Sequence, residues 1–134
     1  MGAARLLFFV GAIAGCSAAA PEPPGPPEGA STEPTLATYT AEQATRGQRV
    51  FTSVCGVCHG RNEFTGPIFD LTWRMEPVGA LFEHISTKMP QDDPGSLTVE
   101  EYAAVVAYLL QLNGRPAGEQ ELPSDPALLA RLRW

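Results

Sequence analysis

Five consecutive residues, Cys55-Gly56-Val57-Cys58-His59, constrain this chain more than anything else in it. Two thiols three positions apart on a tight turn can each add to one vinyl group of a porphyrin, while the imidazole that follows reaches the iron. C-x-x-C-H is therefore the attachment sequence of c-type haem. Two other uses of paired cysteines fit less well. A thioredoxin-like redox pair calls for a βαβ context, and no such pattern surrounds the motif. A zinc site calls for a second pair of ligands, and only one other cysteine, Cys16, exists.

Cys16 belongs to a different part of the chain. Residues 1–15 carry one Arg and an apolar run from Leu6 to Ile13, too short to span a bilayer as a mature helix, and read as an export signal. The run ends in Ile13-Ala14-Gly15-Cys16, which resembles the lipobox of bacterial lipoproteins. That resemblance implies cleavage before Cys16, acylation of its thiol and amine, and a lipid anchor on the periplasmic side of a membrane. Ser17, rather than Asp, at the next position favours the outer membrane under the same resemblance. An ordinary signal cut near Ala18 to Ala20 is the alternative. The three cysteines then divide into one for lipid and two for haem, with no disulfide.

From Ser17 to Thr38 six prolines alternate with Gly, Ala, Ser and Glu, and no stretch can build a core. Such a segment is a tether: extended at about 3.1 Å per residue, it reaches roughly 65–70 Å. Residues 39–134 remain for the folded domain, with an extension from about residue 114. A core this small is commonly stabilised by a cofactor. Fifteen acidic residues against nine basic ones, the latter scattered, exclude nucleic-acid binding through a basic surface.

Within the domain the apolar spacing is helical. Thr40 and Gln43 form a T-x-x-Q cap, after which Val50, Phe51 and Val54 share a face leading into the cysteine motif. A short apolar helix (Leu81, Phe82, Ile85) starts after Pro77 and gives way to the loop signals around Met89-Pro90. Thr98 and Glu101 cap a last long helix with Tyr102, Val105, Val106, Leu109 and Leu112 as its buried stripe and Gly114 as its C-cap. Asp125-Pro126 opens a terminal helix carrying Leu128, Leu129 and Leu132. The candidates for a second axial ligand are Met89, Met75, His84 and an open position. Met89 is favoured by its loop; Met75 reads as a core or surface side chain and His84 as a solvated one.

The stretch from Thr40 to about Asn113 resembles the class I cytochrome c family. The resemblance rests on C-x-x-C-H, on Gly47 and Phe51 eight and four residues before Cys55, on Tyr108 in the last helix, on Gly66-Pro67 and on Met89-Pro90. It implies an all-α fold of about four to five helices around one covalent haem c. It also implies His59 and Met89 as axial ligands and a Pro67 carbonyl that accepts a hydrogen bond from His59 Nδ1. Gly47 costs helix propensity, which a close helix crossing would justify. The run from Met89 to Leu132 resembles cytochrome c domains associated with quinoprotein dehydrogenases, implying a PQQ-dependent enzyme as electron donor. The expected function is one-electron transfer between redox proteins, not catalysis. A haem enzyme or gas sensor with an open sixth position, and a fixed haem subunit of a larger complex, are the alternatives.

Overall fold

A computed structural model describes Met1 and residues 35–134. The export signal, Cys16 and the proline-rich tether up to Pro34 lie outside the described residues.

The described domain is five α-helices with two very short strands: β1 (Thr35–Leu36), α1 (Ala41–Ser53), α2 (Pro67–Trp73), α3 (Val78–Lys88), α4 (Val99–Leu112), α5 (Pro126–Leu129) and β2 (Leu132–Arg133). Two 3₁₀ turns, Cys55–Val57 and Arg61–Phe64, lie between α1 and α2. This is the all-α class I cytochrome c fold. Among the described residues no helix is long and apolar enough to cross a membrane.

Local chemistry starts the two principal helices. Thr40 Oγ1 accepts from the Gln43 N–H at 3.1 Å to begin α1. The Gln43 side chain does not turn back to complete a capping box. It crosses instead to the C-terminal tail, donating to the Leu122 carbonyl at 2.8 Å and accepting from the Leu122 N–H at 2.7 Å. Gln43 is buried, and these two bonds satisfy its amide. At α4 the reciprocal box is complete, with Thr98 Oγ1 accepting from Glu101 N–H and Glu101 Oε2 from Thr98 N–H.

The α1–α4 crossing is the centre of the fold. A Cβ on Gly47 would lie 1.8 Å from the Ala104 carbonyl oxygen, so only glycine permits this approach. Phe51, one turn further on, packs against Tyr108 at a ring separation of 5.4 Å. The sequence suggests a buried stripe on α4. Residues 102–110 are in fact buried all round, while Leu112 is only partly covered. α1 and α3 both pack on this helix, and Tyr39 and Leu122 join it in the core, which leaves its middle no solvent face.

The tail closes the domain. Asp125 Oδ1 accepts from Ala127 N–H to start α5, whose Leu129 is fully buried while Leu128 is half exposed. α5 sits so close to α3 that a Cβ on Gly79 would meet the Ala130 nitrogen at 2.8 Å. Leu132 does not extend that helix. It pairs in parallel with Thr35, and Leu36 pairs with Arg133. Thr35 and Leu36, inside the segment that reads as tether, thus belong to the folded domain.

Candidate functional site

The cysteine motif follows directly from the end of α1. Val54 caps that helix through a bond to the Val50 carbonyl, and the chain tightens into the 3₁₀ turn Cys55–Val57. The N–H groups of both Cys58 and His59 point back to the Cys55 carbonyl, at 3.1 and 2.9 Å. One carbonyl thereby organises the whole C-x-x-C-H turn. Both thiols are free; Cys58 is exposed, whereas burial pushes the Cys55 thiol up from its ordinary pKa.

His59 is half-buried, and its Nδ1 lies 3.0 Å from Glu63 Oε2. Glu63 is fixed in turn, its other oxygen accepting from the Gly60 N–H at 2.6 Å. The His59 hydrogen bond first, and the Gly60 amide second, hold the Glu63 carboxyl below the usual carboxylate range. Nδ1 thus faces a carboxylate here, where the resemblance implied the Pro67 carbonyl. The local reason is the second 3₁₀ turn, which brings the side chain four residues after the histidine back onto its ring. With Nδ1 engaged, Nε2 is the nitrogen left for a metal.

An aromatic wall backs the imidazole. Phe64 packs edge-on against His59 at 5.4 Å, against Phe51 at 5.3 Å and against Phe69 at 6.1 Å; Phe69 meets Trp134 at 5.7 Å. Gly66 takes a φ of 83°, a conformation few other residues adopt, and Pro67 follows as the first residue of α2. From the far side Asn113, at the end of α4, donates to the Phe64 carbonyl at 2.8 Å and so ties the His59 loop to the last helix.

The three candidates for a second ligand differ in placement. Met75 is 86% exposed in the turn after α2. His84 is exposed on α3 with its ring against Trp73 at 5.4 Å. Met89 ends α3, half-buried, with its N–H bonded to the Ile85 carbonyl and its own carbonyl accepting from the Tyr102 hydroxyl at 2.7 Å.

The donor set suits haem c: two free thiols at the vinyl spacing, an imidazole with one nitrogen engaged, and a thioether in a separate, braced loop. Two buried polar atoms, Tyr108 Oη and Trp134 Nε1, have no hydrogen-bond partner among the described residues, and both belong to rings in the aromatic network beside the motif. Among the described residues no three His, Cys, Asp or Glu side chains gather as a metal-ion cluster.

A helical domain built on a glycine crossing, with C-x-x-C-H at the end of its first helix, defines a c-type cytochrome. The family described as "Cytochrome C oxidase, cbb3-type, subunit III" matches residues 42–109, just over half of the chain, and the chain belongs to that family of cytochrome c domains. No curated relative and no solved structure matches it. The domain binds haem c covalently, and the function of this class is haem-based electron transfer with redox-protein partners.

Three residues of the site escaped the sequence reading: Glu63, Asn113 and Tyr102. For Glu63 a signal existed, the i, i+4 spacing from His59. The other two reach the loops from α4 across long sequence separations and left no local trace.

Proposed function

We propose that this chain is a membrane-tethered, monohaem electron carrier on the periplasmic side, with His59 and Met89 as its axial ligands. The observation that carries the reading is the bracing of Met89: of the three candidates it alone combines partial burial with a backbone held from a neighbouring helix. A neutral sulfur kept in place favours the ferrous state relative to a second histidine. When bound, haem supplies the one-electron couple. The chain's own residues do the rest: Cys55 and Cys58 hold the porphyrin, Glu63 sets the His59 tautomer, and Phe51, Phe64 and Phe69 keep water from the proximal side.

Cys16 carries the lipid, and residues 17–34, ahead of the Thr35–Leu36 strand, let the domain search the membrane surface for its partners. With Arg5 lost along with the signal, eight basic residues remain against fifteen acidic ones, and this acidic balance steers it toward a basic docking surface. A PQQ-dependent dehydrogenase is the proposed donor and a respiratory protein the acceptor. The printed description of the matching family, an oxidase subunit, favours a second reading, a fixed haem subunit of a larger complex. Gentle membrane extraction separates them, since a subunit travels with stoichiometric partners and a carrier does not. Cys16→Ser should release the haem protein, spectrum intact, into the periplasmic fraction.

Met89→Ala tests the ligation. It should abolish the weak sulfur-to-iron charge-transfer band of the ferric protein, lower the potential and admit carbon monoxide to the ferrous form, whereas Met75→Ala and His84→Ala should change none of these. Rapid carbon monoxide binding by the unmutated protein would give the place of this reading to a sensor or enzyme with an open iron.

A further inference from the structure

We propose that the phenol of Tyr102 is the latch of the Met89 loop, the group that sets how often the sulfur leaves the iron. This rests on the reading of Met89 as an axial ligand. Tyr102 lies in α4 just past its cap, is 3% exposed, and packs edge-on against Phe82 of α3. Its hydroxyl donates to the Met89 carbonyl at 2.7 Å and accepts from the Gly95 N–H at 3.1 Å. One oxygen therefore joins the residue bearing the sulfur to the residue six positions later, closing the loop like a clasp.

The loop has little else to hold it. Residues 91–96 are exposed, and its own backbone bonds are two turn contacts, Asp93 N–H to Pro90 carbonyl at 3.1 Å and Ser96 N–H to Asp93 carbonyl at 3.2 Å. Segments with few buried apolar contacts open at low free-energy cost. Gly95 takes a φ of 82°, so the turn that presents its amide to Tyr102 depends on glycine. Deleting the hydroxyl removes both bonds from the closed loop but changes nothing in the open one, where water satisfies the carbonyl and the amide. The balance shifts toward opening while the tyrosine ring stays packed.

The test is the rate at which imidazole binds the ferric holoprotein. Tyr102→Phe should raise it about tenfold, the scale set by losing two partly buried hydrogen bonds, with haem attachment and far-ultraviolet dichroism unchanged. Tyr39→Phe is the control, because Tyr39 donates a comparable bond to the Arg115 carbonyl beyond the other end of α4. It should lower stability without raising the imidazole rate. An unchanged rate in Tyr102→Phe, or an equal rise in Tyr39→Phe, overturns the latch. Amide exchange at Gly95 reads the clasp whether or not the sulfur binds iron: protection of about tenfold or more in the unmutated protein supports it, and exchange at the free-chain rate overturns it. A protected Gly95 in a protein lacking the charge-transfer band would instead sink Met89 ligation and leave the clasp standing.

Discussion

The two loops that carry His59 and Met89 are held by opposite means. The His59 loop is held from within: the Cys55 carbonyl gathers two amides, Glu63 bonds both Gly60 and His59, and Phe64 wedges the turn against three aromatic rings. The Met89 loop is held mostly from outside, by the hydroxyl of Tyr102. Both are tied to α4, one near its start and the other at its end, through Tyr102 and Asn113, eleven residues or about 16 Å apart along the helix. A rigid rod with a tie at each end fixes the separation of the two loops. The contrast also assigns their dynamics, since a loop braced by its own contacts opens less readily than one clasped at a single point.

The largest disturbance strikes what both loops share. Gly47→Ala drives a methyl group into the Ala104 carbonyl, and helices buried on this scale yield only by moving apart. A loss of about 3 kcal/mol is expected, read by denaturant unfolding of the holoprotein, with both loops loosened together. Wild-type stability in this variant would show that the crossing is not the common support.

Asn113→Ala separates the two loops. It leaves the Phe64 carbonyl without its donor and should cost about 1–3 kcal/mol, with amide protection lost around residues 60–65 and kept at Gly95. If Gly95 lost protection equally, α4 would be transmitting the change and the two ties would not be independent.

The smallest effect belongs to Glu63→Gln. The amide offers one acceptor oxygen where the carboxylate uses two, so it keeps only one of the bonds to Gly60 and His59 and removes a negative charge beside the imidazole, and the midpoint potential should rise modestly. The sulfur-to-iron band and the imidazole binding rate should stay as they were. A potential that does not move would mean that Glu63 fails to reach His59 in the holoprotein.

Much of this architecture can be read from short stretches of the chain. Two cysteines and a histidine within five residues name the cofactor, because covalent attachment needs that spacing and little else. Thr40 and Thr98 start helices where their side chains predict, since a cap is satisfied within three residues. Gly47 signals a close crossing because glycine inside a helix otherwise has no physical reason to be there. Gln43 shows the limit of such reading. Its position promises a capping box, yet its amide goes to Leu122, 79 residues away, because a buried tail backbone needed both a donor and an acceptor.

What the sequence by itself determined is therefore the starts of α1, α3, α4 and α5 and the cofactor, encoded by neighbours within one or two turns. Only the tertiary structure decided who braces them. The pairing of Thr35 with Leu132, the burial of α4 on every side, and the grip of Tyr102 and Asn113 on the two loops join residues 13 to 97 positions apart. No local pattern marks such partners, because a hydroxyl or an amide on a helix is equally at home in water until packing removes the water and a distant carbonyl becomes its only partner.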